Sequence, residues 1–322
     1  MTDRTPDPRT DGGYELRMAG SETKAGRETE TAVKRESEVE TNTDTNTTIV
    51  SAARAGLRQA AVLAEAEYRL AVRGRWAVAL TVVFAAFALG LTTFSGASVS
   101  PDGFDRTVAS LAVLAGYLVP LVALAFGFDA IVGREESGWL GALFALPVSR
   151  SWIVLGTFLG RAVVLASATV VGFGIAGGLL LREFGLTGFD TYVGFVLATA
   201  GLGLAFLALA VLLSTVAREK THALGLSLLA WAWFVLVHDL LALGVIAAFP
   251  LPDAALSAML LANPASVFRA LVLGTLGAGG DAGFASVLAD VGLSSGPLVA
   301  ALFAWAVVPL AAAAVVVGRR RV

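Results

Sequence analysis

The 322-residue chain contains no cysteine, which excludes disulfides, thiolate metal sites and cysteine nucleophiles and leaves the redox compartment open. Lysine occurs only at Lys24, Lys34 and Lys220, and histidine only at His222 and His238. Charged residues make up 15% of the chain, and the acidic ones crowd into the first fifty positions. The net charge of -2 therefore describes a tail more than the body, and no basic surface points to nucleic acid. Two catalytic signatures are missing: the Gly-x-x-x-x-Gly-Lys-Ser/Thr phosphate loop and the His-Glu-x-x-His zinc helix. Without the first, this chain does not bind ATP by that device.

What is present is apolar. Hydrophobic residues form 57% of the chain, above the roughly 45–50% of soluble globular domains, so the chain reads as an integral membrane protein. Its long apolar runs are Trp76 to Phe94, Val108 to Phe128, Trp152 to Leu181, Tyr192 to Val216, Ala223 to Phe249 and Leu298 to Val317. Each is near or above the ~20 residues that a helix needs to cross ~30 Å of hydrocarbon. The fold expected is an all-α membrane protein with six transmembrane helices and no soluble catalytic domain between them.

The flanks complete the layout. Residues 1–50 are polar, with almost no large apolar side chain, and read as a disordered acidic tail without a signal-peptide core. The transmembrane domain is expected over 51–322. Over 51–75, Arg54, Arg58, Glu65, Arg69 and Arg73 recur at helical spacing opposite Leu57, Ala61, Ala64, Tyr68 and Val72, the pattern of an amphipathic helix on a membrane surface. The 250–297 connection carries two stretches too short to cross, around Leu256 to Leu261 and Val267 to Leu276, which predict external re-entrant helices before the last span. Arg69, Arg73, Arg75, Arg134, Arg150, Arg218, Lys220 and Arg319 to Arg321 fall on one side, against Arg106, Arg182 and Arg269 on the other. By the positive-inside rule both termini are cytoplasmic.

The segment 129–151 stands between the second and third spans. Asp129 leaves a span and a charged turn holds Arg134, Glu135, Glu136 and Gly138. Leu140, Leu143 and Leu146 then form an apolar stripe, Pro147 stops the helix, and Val148-Ser149-Arg150 lead into a run with Gly156, Gly160 and Arg161. This order of residues resembles the cytoplasmic coupling segment of type-2 ABC transporter permeases, with Trp139 where Thr is usual and Thr157 where Lys is usual. Asn263-Pro264 followed by Phe268-Arg269 resembles an element of the subgroup associated with copper processing for nitrous oxide reductase maturation.

The resemblance implies a permease subunit of an ABC exporter in the cytoplasmic membrane of a prokaryote. It further implies a homodimer surrounded by membrane lipid, with no cofactor in this chain and ATP and Mg held by a separate ATP-binding subunit. The residues of the 129–151 turn would carry the partner contact. Composition and spacing alone do not yield transport.

Ionisable residues inside apolar runs mark cavities or partner helices. Arg161 lies two to three turns beyond Trp152 and is expected to reach the interface or pair with a carboxylate such as Asp129, with a place for both on a transport path as the alternative. His238 and Asp239 form an adjacent ionisable pair within the fifth span. They support interhelical hydrogen bonding, a transport path, or, as an alternative class, an intramembrane enzyme; a membrane assembly factor for a metalloenzyme is a further alternative. One imidazole and one carboxylate do not make a metal site. Gly156 with Gly160 and Gly174 with Gly178 each sit four apart, allowing close helix packing within the chain or across a dimer.

Overall fold

The computed structural model describes residues 54–94, 103–138, 150–186, 188–276 and 294–319. The chain divides into the units Met1–Gly56 and Leu57–Val322, and every site below lies in the second. The proposed tail, 1–50, lies outside the described residues, as do Leu140, Leu143, Leu146 and Pro147.

Among the described residues, six helices are long and apolar enough to cross a membrane. An entry helix, α1 (54–73), precedes α2 (Trp76–Phe94) and α3 (Gly103–Gly127). A turn leads to the short α4 (Val132–Glu136), and then come α5 (Arg150–Phe184) and α6 (Phe189–Val216). The span α7 (Lys220–Ala248) contains a π-helical turn at Trp233–Val237. Next are α8 (Asp253–Leu261), α9 (Pro264–Thr275) and the last span, α10 (Ser295–Arg319). No strand occurs among the described residues.

The spans match the apolar runs and overshoot them at polar flanks. Hydropathy ends where charge begins, but a helix continues as long as its backbone bonds do. At 35 residues α5 extends about 52 Å, well beyond the ~30 Å hydrocarbon core. A helix this long projects past the core, and Arg161 lies about a third of the way along it.

The hub is α6, apolar on all sides, which packs against α3, α5, α7, α9 and α10. Two thirds of its apolar window, 67%, is buried, against 11% for α7, so α7 is the span least covered by its own chain. The far half of the core is aromatic, with Phe84 and Phe195 both packed on Phe173. Tyr192 donates to the Phe173 carbonyl at 2.6 Å.

The predicted re-entrant stretches are α8 and α9, joined at a 110° bend. Asn263 is the N-cap of α9, its Oδ1 accepting from the Ala265 amide at 2.9 Å, and Pro264 follows at the first helical position. Trp305 of α10 donates to the Leu261 carbonyl at 3.0 Å, satisfying a group at the end of α8.

Candidate functional site

Two polar clusters are separated along the bundle: one lies at an end, the other against the middle of α7 and α3. The first lies at the end that collects Arg134, Arg150 and Lys220, called here the basic end. Its centre is Glu67, on the buried face of α1. The carboxylate forms an ion pair with Arg134 and lies 3.6 Å from Arg161. Arg161 reaches Asp129 at 2.8 Å, donates to the Phe126 carbonyl and stacks over the Phe126 ring at 5.5 Å. Arg134 also donates to Thr157 at 2.7 Å. Two cations and two anions thus balance, and the side chains of Glu67, Arg134 and Arg161 are only 6%, 12% and 13% exposed. Charges this covered persist only when paired and hydrogen-bonded.

The sequence builds this contact with glycine. A Cβ on Gly156 would come within 2.8 Å of the Ala60 carbonyl, and one on Gly160 within 2.6 Å of the Ala64 carbonyl. The missing side chains let α1 lie directly on α5. Gly156 and Gly160 therefore serve packing within the chain, whereas Gly174 and Gly178 face open space. Beside the charges is a 370 Å³ cavity bordered by Trp76 and Phe126.

The turn after α3 is fixed from two further sides. Ser214, fully buried on α6, accepts from the amides of Ile131 and Val132 at 3.0 and 3.1 Å. Glu136 accepts from the Lys220 backbone amide at 2.7 Å, with the Lys220 ammonium 3.9 Å away. It thereby caps α7 from another element, where the helix dipole favours an anion. Gly138 has φ +73°, a left-handed turn suited to glycine.

The second cluster joins α7 to the α8–α9 hairpin. Asp239 pairs with Arg269 at 2.5 Å through Oδ2, while its Oδ1 accepts from Ser266 at 3.0 Å and from Asn263 at 3.4 Å. The Asn263 amide group also contacts His238 Nδ1 at 3.0 Å and donates to the Phe234 carbonyl at 2.7 Å. Arg269 Nε donates to the Ala265 carbonyl at 3.2 Å. Both Asp239 oxygens are engaged by protein groups, which fits a structural tie better than a general base. Among the described residues, no three His, Cys, Asp or Glu side chains converge as a metal ion would need.

Between α6, α9 and α10 lies a 460 Å³ cavity with only apolar side chains and Thr275 in its wall.

The structure unites Asp129, Arg134 and Arg161, places Glu136 against α7, and keeps His238 with Asp239. Glu135 lies on α4 and Arg150 begins α5. Sequence reasoning missed Glu67, Ser214 and Thr157 at the first cluster and the Ser266 bond at the second. Glu67 carries a legible signal, because it falls outside the polar stripe of α1, and a carboxylate off that stripe marks paired burial. The inward face of α1 is Ala60, Glu67 and Ala71, while Leu57, Tyr68 and Val72 of the expected stripe are exposed.

A polytopic helical bundle with an entry helix, a charge-clamped turn after its second span and a bent helix pair before its last defines an all-α multi-span membrane protein. The family model described as "ABC-2 family transporter protein" matches residues 61–322, and the chain belongs to that family. It is 38% identical over 269 residues to the probable ABC transporter permease protein NosY of Stutzerimonas stutzeri, covering 80% of this chain and 97% of that one. The protein of the same name from Pseudomonas aeruginosa strain PAO1 is 38% identical over 263 residues, covering 78% and 94%.

Proposed function

We propose that this chain is the membrane-spanning half of an ATP-driven exporter, working as a homodimer with a separate ATP-binding subunit that holds ATP and Mg. The observation that carries this reading is the clamp on the 129–138 turn. A segment meant only to connect two spans would not require an ion-paired Arg134, a buried serine across both of its amides and a glutamate capping a neighbouring span. A segment that receives a push from a partner does require it, because force passes only through a rigid attachment. In this reading Arg134, Glu135, Glu136, Gly138 and Arg150 frame the partner-facing surface, and Leu140, Leu143, Leu146 and Pro147 supply its apolar ridge. Asp129 and Arg161 anchor it to the bundle.

The basic end then faces the cytoplasm of a prokaryote, with both termini there, as the distribution of Arg and Lys supports. The sparse cover of α7, with Leu229 67% and Leu240 71% exposed, leaves an apolar face for a second copy or for lipid. ATP-driven closure of the partner subunits would move the two clamped turns and favour one arrangement of the spans over the other.

The test is co-purification of the tagged chain from its native membrane, with ATPase activity compared between wild type and a variant carrying Glu135→Ala and Leu143→Asp. Recovery of a phosphate-loop ATPase by wild type, lost in the variant, is expected. Absence of any ATPase from the wild-type complex would overturn the proposal.

A further inference from the structure

The middle of α7 contains one residue more than an α-helix accommodates. Over Trp233–Val237 the backbone takes π geometry, with the His238 amide bonded to the Trp233 carbonyl, five residues back. In an α-helix that amide would bond to Phe234, so the π turn releases the Phe234 carbonyl. In an apolar span a released carbonyl needs another donor. The donor is Asn263, whose amide group lies 2.7 Å from that oxygen and 3.0 Å from His238 Nδ1. The same side chain caps α9 through its Oδ1. One carboxamide thus joins the bend of the α8–α9 hairpin to the irregular turn of α7.

We propose that Asn263 is a latch that holds α7 in its π register and so fixes which face its outer half presents. With the carboxamide in place, Asp239 meets Arg269 and Ser266, while Leu240 faces outward. When the carboxamide withdraws, the Phe234 carbonyl recovers the His238 amide and the turn closes to α. The outer half of α7 then rotates by about 100° and shifts by about 1.5 Å, one residue of α-helix. This carries Asp239 off Arg269 and turns Leu240 inward. The π and α registers of α7 are the two positions of a one-residue switch set by the hairpin. Its use in transport rests on the permease reading, whereas the switch itself does not.

The absence of cysteine allows a clean measurement. A spin label on Leu240→Cys reports mobility at a site that is 71% exposed, in the full chain in lipid nanodiscs holding one copy each and without any ATPase. Asn263→Ser keeps a good N-cap but removes the amide donor. The label is expected to be uniformly mobile in the otherwise unaltered chain and to gain a dominant immobilised component with Asn263→Ser. Deleting Leu236 removes the extra residue while keeping both halves of α7 in place, so Phe234 needs no outside donor. In that background Asn263→Ser is expected to have no effect on the spectrum, and to give a monodisperse protein even if the single variant does not fold. The latch is overturned if Asn263→Ser leaves the label mobile, if the deletion does not suppress its effect, or if neither form folds. Because no ATPase is present, this result stands apart from the fate of the co-purification test.

Discussion

Replacing Glu67 tests whether the basic-end clamp is a mechanical part or a packing accident. Glu67→Ala removes the anion from beside Arg134 and Arg161 while leaving two guanidiniums that are seven-eighths covered. Arg161 keeps Asp129 at 2.8 Å and the Phe126 carbonyl, so the loss falls mainly on Arg134, which retains Thr157 among its partners. Removing one partner of a buried pair costs about 3–5 kcal/mol, and the surviving contacts place the expectation at the lower end, about 3 kcal/mol. Glu67→Gln keeps the shape and an acceptor and is expected to cost about 1.5–3 kcal/mol, the worth of a hydrogen bond to a charged group. The paired change Glu67→Leu with Arg134→Met removes both charges at similar volume and is expected to return within about 1 kcal/mol of the original stability. Denaturant unfolding in mixed micelles reads these differences. In the assembled complex the two properties should separate: the double variant recovers stability but not substrate-stimulated ATPase, because the polar tie between α1 and the turn is gone. A Glu67→Ala cost below about 1 kcal/mol would refute the clamp, and full ATPase stimulation in the double variant would refute its mechanical role.

Gly160→Val should expel α1 from α5, since its Cβ would meet the Ala64 carbonyl within 2.6 Å; overpacking of about 1–3 kcal/mol is expected in unfolding, against less than about 0.5 kcal/mol for Gly174→Val, which has open space. Ser214→Ala leaves two buried amides, of Ile131 and Val132, without their acceptor and should cost about 1–3 kcal/mol, again read by unfolding. At the other cluster, Arg269→Gln should destabilise by about 3 kcal/mol, while Arg269→Met combined with Asp239→Leu should recover most of it. A double variant as unstable as the single would show that the pair does more than balance its own charge.

The spans were legible because lipid imposes one rule over long windows: about twenty apolar residues form a helix, whatever the neighbours. The hairpin was legible for a related reason, since two apolar stretches too short to cross, separated by Asn-Pro, can hardly do anything but bend. Asp129 with Arg161 was also readable, because a charge near the end of an apolar run has few partners in reach. Glu67 was not paired in advance. Its partners lie 67 and 94 residues away, and only the approach of α1 onto Gly156 and Gly160 brings them together. Ser214 was hidden for the same reason, being a serine on a helix apolar on all sides whose role exists only when the 129–138 turn folds back against it. The π turn left no mark at all, because one inserted residue changes neither composition nor hydropathy.

Glu136 adds a link between the two clusters. Its carboxylate accepts from the first amide of α7 at 2.7 Å, and a Cβ on Gly133 would come within 2.9 Å of the Lys220 side chain, so α4 and the start of α7 are in close register. The far half of α7 is tied through Asp239 and Asn263 to the hairpin. Between the two ties, α7 is the span least held by the rest of the bundle, with 11% of its window buried. A helix fixed at two points and free between them passes displacement from one to the other instead of dissipating it into side contacts. Glu136→Ala removes the cap and the weak contact with the Lys220 ammonium, at a cost of about 1 kcal/mol for a partly exposed position. If α7 acts as a strut, this small loss should nevertheless change the motion of a spin label at Leu240→Cys, beside the second tie, in the assembled transporter with ATP. Arg106→Ala, at the far end of α3 and outside both clusters, should leave that label as it was. Equal effects of the two variants, or none from Glu136→Ala, would mean that the basic end and the hairpin are held separately and that α7 does not join them.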